Sequence, residues 1–140
     1  MTGKKRVLFI CTANAARSQM AEGYMRVKYG DRYEVFSAGT RQSSVSTRAI
    51  AAMKEIGIDI SRHRSKTLDA LKHESFDIAV TLCDNAHAVC PVVKSAERTI
   101  HKGFPDPHLT PGNDEDVMNG YRRARDLITA WIDREFNQNR

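Results

Sequence analysis

The apolar run Val7-Leu8-Phe9-Ile10 leads without a break into Cys11-Thr12-Ala13-Asn14-Ala15-Ala16-Arg17-Ser18, and no other junction constrains the fold as much. A short run of β-branched and aromatic residues predicts a buried strand. The segment from Ala16 through Tyr29 predicts a helix. The loop between them then lies at the carboxyl end of a strand and the amino end of a helix. Backbone N–H groups there have no intrahelical partner and the helix dipole is positive, so the place suits an anion. A cysteine at that position is expected to have a lowered pKa and to exist largely as thiolate. Arg17 offers a planar fork of donors for a tetrahedral oxyanion. A hydroxyl at Ser18 can donate to the thiolate and favour its charged form. Together they describe attack by sulfur on a phosphate-like centre. A Cys and an Arg at this spacing arise by chance in many chains, and free cysteine often packs as a small hydrophobe. The strand, the helix and Ser18 give the pair its meaning.

The chain's 140 residues fit one compact domain, and 41% hydrophobic residues suffice for a core. The formal charge of +5, from 22 Lys+Arg against 17 Asp+Glu, favours anionic ligands by steering. It does not indicate nucleic acid, because no dense basic run with interleaved aromatics is present. Arg122, Arg123 and Arg125 are expected on the solvated face of a helix. No segment approaches the roughly 18 apolar residues of a membrane helix. The start, Lys4-Lys5-Arg6 before Val7 to Ile10, has too short an apolar part for a signal peptide. A cytoplasmic protein is expected.

Tyr33 to Ala38 alternates and ends at Gly39, which predicts a second strand. A helix is expected from about Thr47, with Ile50, Met53 and Ile56 on one face and Gly57 as its stop. A short helix is expected over Thr67 to His73. Phe76 to Leu82 lacks polar alternation and predicts a central strand. Arg98 to His101 predicts a weaker fourth strand, and Gly103 to Gly112, with three prolines, a loop. A last helix is expected from about Asp114 to Phe136, with Trp131 in the core. Strands alternating with helices imply parallel βαβ units: an α/β three-layer sandwich with a four-stranded parallel sheet. Ligands of such folds bind beyond the carboxyl ends of the strands. Cys11, Cys83 and the loop of Asp106 could meet there.

Three cysteines, Cys11, Cys83 and Cys90, do not make a disulfide scaffold. In a reducing compartment such residues act as metal ligands or redox groups. If Asp84 to Val89 is helical, Cys83 and Cys90 share a face about 10 Å apart at about 1.5 Å per residue. A disulfide needs Cα atoms within about 7 Å, so bonding would require the segment to unwind. Asn85, His87, Val89 and the following Pro91 permit that. A redox pair that moves is favoured. Simple packing of two small apolar residues is a second reading, and a metal held by Cys83, His87 and Cys90 is a third. Asp106, between Pro105 and Pro107, is either a turn former or an acid that protonates a leaving oxygen. The acid is favoured because the first motif needs one.

The run from Cys11 to Gly23 resembles the opening of the thioredoxin-coupled arsenate reductases, which share a fold with the low-molecular-weight protein tyrosine phosphatases. The resemblance continues through Ser37-Ala38-Gly39, Ala49 to Ile60, Val80-Thr81-Leu82-Cys83, Cys90-Pro91 and Gly103-Phe104-Pro105-Asp106-Pro107. It implies one phosphatase-like domain over residues 1–140, a cytoplasmic monomer with no cofactor and no metal. By that resemblance Cys11 attacks arsenate held by Arg17 and the amides of Thr12, Ala13, Asn14, Ala15 and Ala16. Asp106 protonates the departing oxygen. Cys83 then attacks Cys11, releasing arsenite, and Cys90 attacks Cys83. Thioredoxin reduces the Cys83–Cys90 bond, and phosphate and sulfate compete with arsenate.

The chain departs from the family at several positions. Ala13, Ala15 and Ala16 stand where the family often carries Gly, Ser and Cys, and His108 where the phosphatases have Tyr. Asn14, Glu22 and Ser37 match three residues that hold potassium beside the loop in some members. Lys66 stands where those have Asp. Its ammonium is expected to replace the cation, pair with Glu22 and brace the loop; the alternative is an exposed lysine without a role. Two other functions remain open: a phosphatase, which has no use for Cys83 and Cys90, and a noncatalytic oxyanion sensor.

Overall fold

The computed structural model describes residues 3–83 and 96–137. The helix expected over 84–89, with His87 and Cys90, lies outside the described residues. The chain runs β1 (Lys5–Cys11), α1 (Arg17–Tyr29), β2 (Tyr33–Gly39), α2 (Thr47–Lys54), a 3-10 turn at Leu68–Leu71, β3 (Phe76–Cys83), β4 (Ala96–Phe104), a 3-10 turn at Pro107–Leu109 and α3 (Asp114–Phe136). The four strands form one sheet in the order β2-β1-β3-β4, and all pairings are parallel. The α/β reading of the sequence therefore holds.

The unbroken apolar run of β1 follows from its place. It lies between β2 and β3, and Val7, Leu8, Phe9 and Ile10 are all fully buried. A central strand of a parallel sheet loses both faces to the core, so it has no polar alternation. Val7 and Phe9 join the core formed with α1, α2 and α3, while Leu8 and Ile10 face a second cluster with Phe76 and Ala79, backed by Leu68 and Leu71. β4 is paired on one side only, to β3, and exposes Glu97, Arg98 and His101. Charge on an edge strand discourages further pairing, and it also hides the strand in the sequence. β4 is accordingly longer than the expected Arg98 to His101, and the proline-rich loop begins only after Phe104.

Local chemistry sets the helix ends. Asn113 and Asp116 form a reciprocal capping box at the start of α3, and Asp114, Glu115 and Asp116 fill its first turn. Ser46 caps α2 by accepting from the Ala49 N–H. Trp131 is core, as expected, with the rings of Phe104 and Phe136 edge-on to it at 6.4 and 6.0 Å.

Three expectations are corrected. Ile56 lies beyond the end of α2 and is exposed, so the buried face of that helix is Ala49, Ala52 and Met53. Alanines let α2 pack closely and carry little hydrophobic signal of their own. The segment Thr67 to His73 forms only the single 3-10 turn at Leu68–Leu71. Arg125 is not on the solvated face: it is buried, and its guanidinium donates to the Ala52 carbonyl and to Glu55, both at 2.8 Å. Arg122 reaches the same carboxylate. Truncating Arg125 strands a buried carbonyl, which costs about 1–3 kcal/mol. Denaturant unfolding of Arg125→Ala should show a loss of that size, whereas Arg123→Ala, on the exposed side, should stay within about 0.5 kcal/mol of the parent.

Candidate active site

The parallel sheet brings Cys11, the last residue of β1, and Cys83, the last residue of β3, to the same edge of adjacent strands. The loop from Thr12 to Ala16 turns over that edge into α1. All its carbonyls are engaged by the protein. The Thr12 oxygen accepts from the N–H groups of Thr40 and Arg41, that of Ala13 from the Ser65 hydroxyl, and that of Asn14 from the Gln19 amide. The Ala15 oxygen accepts from the Ser46 N–H, and that of Ala16 from the Met20 N–H. The N–H groups of Ala13, Asn14, Ala15 and Ala16 have no partner among the described residues. A loop whose acceptors are tied back and whose donors are left over is suited to an anion.

Gly39 makes this approach possible. A Cβ there would lie 2.7 Å from the Asn14 nitrogen and 2.8 Å from the Thr12 oxygen, and neither backbone atom can retreat. Asn14 itself takes a left-handed conformation, with φ of 51°, which asparagine tolerates better than most residues.

Hydrogen-bond directions around Cys11 follow from one fixed donor. The backbone N–H of Lys66 must donate, so the Asn14 atom at 2.8 Å from it is the carbonyl oxygen. The Asn14 amide nitrogen then donates to Ser18 Oγ at 2.7 Å and to Ser37 Oγ at 3.0 Å. Having accepted from Asn14, the Ser18 hydroxyl directs its own proton to Cys11 Sγ, 2.9 Å away. This is the donor expected for a thiolate, and Cys11 is buried.

Arg17 is buried on the first turn of α1, donates to the Phe104 carbonyl at 3.0 Å, and lies 3.6 Å from Asp106 Oδ2. Asp106 serves both readings given to it. One oxygen accepts from the His108 N–H at 3.0 Å and forms the turn, while the other faces Arg17. Cys11, Arg17 and Asp106 line an open pocket of about 480 Å³, together with Arg41, Arg48 and Tyr121.

A thiol at the base of an amide loop, a buried arginine and a carboxylate at the mouth are the elements of thiolate attack on a tetrahedral oxyanion. Residues 6–134 match the family model of the low molecular weight phosphotyrosine protein phosphatases. The chain belongs to that family. An arsenate reductase of Halalkalibacterium halodurans is 46% identical to it over 129 residues, covering 92% of this chain and 93% of that protein. A solved arsenate reductase in an oxidized state shares the fold with a TM-score of 0.78 at 28% identity, covering 96% of this chain and 98% of the other. Another, in a phosphate-binding state, gives a TM-score of 0.74 at 27% identity over the same shares.

The potassium site known in part of this phosphatase-like family does not fit the residues present. Glu22 accepts from the Ser37 hydroxyl on one oxygen and from Arg26 on the other. Lys66 Nζ stands 4.0 Å from the first oxygen and donates to the Arg64 carbonyl at 2.9 Å. The Asn14 oxygen is already shared by the Lys66 N–H and Gln19. Two protein cations thus surround the one carboxylate, and the coordinating oxygens are in use. Burial lowers the Lys66 pKa and Glu22 opposes that shift, with Arg26 and Arg64 adding to the lowering.

Arg26, Gln19 and His63 were missed from the sequence. Arg26 stands four residues after Glu22 on α1, a spacing that signals an ion pair. Gln19 is fully buried beneath the loop, where its amide nitrogen also reaches the Arg64 carbonyl at 2.9 Å. Nothing in its neighbourhood in sequence distinguishes it from a surface glutamine. With that nitrogen facing carbonyls, the Gln19 oxygen accepts from His63 Nδ1 at 2.9 Å. His63 Nε2 then faces the Arg26 guanidinium as an acceptor.

Burial pushes the His63 pKa down; Arg26 and Lys66 push the same way, and Glu22 and Asp59 oppose them. The folded pKa is below the unfolded one, so the unfolded chain takes up this proton first as pH falls. Stability from the neutral ring is present above the ordinary histidine value and is lost as pH falls through the folded value. Thermal melts between about pH 7.5 and 5 should therefore show declining stability, and His63→Gln should flatten that dependence.

Proposed function

We propose that this chain is an arsenate reductase that uses Cys11, Cys83 and Cys90 in turn and is returned to its reduced state by thioredoxin. Arsenate sits on the amides of the Thr12 to Ala16 loop and on Arg17. The Cys11 thiolate attacks arsenic, forming an S–As bond, and an oxygen leaves as water with the proton from Asp106. The Cys83 thiolate then attacks Cys11 Sγ. The S–As bond breaks, its electron pair stays on arsenic, and arsenic(V) becomes arsenic(III), released as arsenite. The two sulfurs supply the two electrons and are left as a Cys11–Cys83 disulfide. Attack by Cys90 on Cys83 frees Cys11 as thiolate, and the dithiol of thioredoxin reduces the Cys83–Cys90 bond. A cycle through free thiols belongs in a reducing compartment such as the cytoplasm.

The observation that carries this reading is the pairing of an anion-ready loop at Cys11 with a second cysteine at the end of the adjacent parallel strand. The loop alone suits a phosphatase as well as a reductase. Cys83 at the same sheet edge has a use only where sulfur must attack sulfur. The name carried by the H. halodurans relative supports the same choice.

The decisive assay is arsenate reduction coupled to thioredoxin, run beside hydrolysis of a small aryl phosphate. Cys11→Ser should lose at least about 10³-fold in turnover and keep its fold. Cys90→Ser should release one arsenite per chain and hold a Cys11–Cys83 bridge on mass mapping; Cys83→Ser should form no such bridge. Wild-type protein that yields neither bridge and hydrolyses aryl phosphate faster than it reduces arsenate would be a phosphatase.

Lys66 and Arg26 act in this reading as built-in cations. They compensate Glu22, which through Ser37 and Asn14 holds the loop. Turnover should be the same in potassium and sodium at fixed ionic strength. Lys66→Ala should weaken phosphate binding severalfold or create a potassium response that the wild type lacks.

A further inference from the structure

The pocket above Cys11 holds three arginines, and two of them are neutralised. Arg17 faces Asp106 at 3.6 Å, and Arg48 faces Asp114 at 3.2 Å. The third, Arg41, is exposed, and among the described residues its side chain has neither an ion pair nor a hydrogen bond. Its position is nonetheless fixed at the backbone. The Arg41 N–H donates to the Thr12 carbonyl at 3.1 Å, beside the Thr40 N–H on the same oxygen at 2.8 Å. The segment after Gly39 is therefore fastened to the anion loop itself, and the Arg41 side chain lines the same pocket as Cys11, Arg17 and Asp106.

We propose that Arg41 is a substrate-capturing residue, supplying the uncompensated positive charge that draws an oxyanion from solution onto the loop. The inference rests on the arsenate reading above for its substrate, and phosphate shares the relevant chemistry. Asp106 guards the same mouth with a negative charge, so an incoming anion would meet repulsion from the acid that later serves it. Arg17 offsets that charge only in pairing with it. The remaining attraction comes from the loop amides, the start of α1 and Arg41. Of these, only Arg41 carries a full charge, and only Arg41 reaches out to solvent, where encounter begins. Charge lining a cleft raises the association rate of an oppositely charged ligand, and salt removes the effect.

The same charge helps turnover in one direction only. Arsenate is anionic at neutral pH, whereas arsenite is the uncharged acid As(OH)₃. A cation at the mouth therefore attracts substrate and has no hold on product. Arg41 touches neither sulfur nor the leaving oxygen in this scheme, so its removal should raise KM and leave kcat in place.

The test uses inorganic phosphate as the probe and arsenate turnover as a second readout. Phosphate affinity at low ionic strength is measured by calorimetry for wild type, Arg41→Gln, Arg41→Glu and Lys28→Glu. Lys28 stands three turns along α1 from Arg17, and Lys28→Glu changes net charge by the same amount as Arg41→Glu. Arg41→Glu should bind phosphate about tenfold more weakly, Arg41→Gln should fall between it and wild type, and Lys28→Glu should match wild type. Raising the salt should bring the four together. In turnover, kcat/KM for arsenate should follow the phosphate order with kcat unchanged, and inhibition by arsenite should not change. Equal phosphate affinity across the four proteins would overturn the proposal, and so would equal loss in Arg41→Glu and Lys28→Glu. If wild-type protein does not reduce arsenate at all, the proposed function fails, while the phosphate titration still decides the role of Arg41.

Discussion

The side chain of Asn14 uses its whole hydrogen-bonding capacity inside the protein. Its nitrogen donates to Ser18 and Ser37, and its oxygen accepts from the Lys66 N–H and from Gln19. These partners come from the start of α1, the end of β2 and the segment before the first 3-10 turn. One amide therefore joins three separate parts of the chain under the anion loop. It also sets the polarity of the site, because its orientation leaves the Ser18 proton for Cys11. The residue sits fully buried in a left-handed conformation. A group held on four sides is what keeps a loop of unpaired amides from relaxing into bonds of its own.

A network of this kind needs a charged end, and that creates an electrostatic problem. Glu22 accepts the last hydrogen bond, from Ser37, and it is almost wholly buried. A buried carboxylate without a counter-charge is costly. Some family members meet the cost with a bound cation. Here Arg26 pairs with it directly and Lys66 stands nearby. Arg26 also donates to the Val35 carbonyl, so the counter-charge is anchored to β2 as well. The loop is thus supported by the chain's own charges, and His63 is kept neutral among them.

The parallel sheet supplies what local chemistry cannot. Every strand ends its carboxyl side on the same edge, so three segments far apart in sequence converge there: the loop after β1, the end of β3 and the Asp106 turn after β4. Arg17 spans them, donating to the Phe104 carbonyl at the close of β4. A nucleophile, a second thiol-bearing residue and an acid are brought together by topology, with no motif in which they are adjacent.

The strongly patterned parts were legible in the sequence. Val7 to Ile10 is apolar throughout because β1 is central, and Asn113 with Asp116 marks the start of α3 because caps act within one turn. Cys11, Arg17 and Ser18 were readable for the same reason, since all three lie on one strand-loop-helix segment whose chemistry is local. Elements whose residues are determined by distant partners were not. β4 is concealed by the charges an edge strand carries, and α2 by the alanines that let it approach α3. Arg125 read as solvated until its acceptors on α2 were known, and Gln19 and Arg26 read as surface residues until β2 and the 63–66 segment folded over them. A hydrogen bond across tens of residues leaves no periodic trace. The sequence alone therefore determined that this chain makes a parallel α/β sheet with a thiolate loop at its edge. Only the tertiary structure decided which amide orients that loop, which cations balance Glu22, and that Arg41 stands unpaired at the mouth, because each of these depends on charges and dipoles that meet through space.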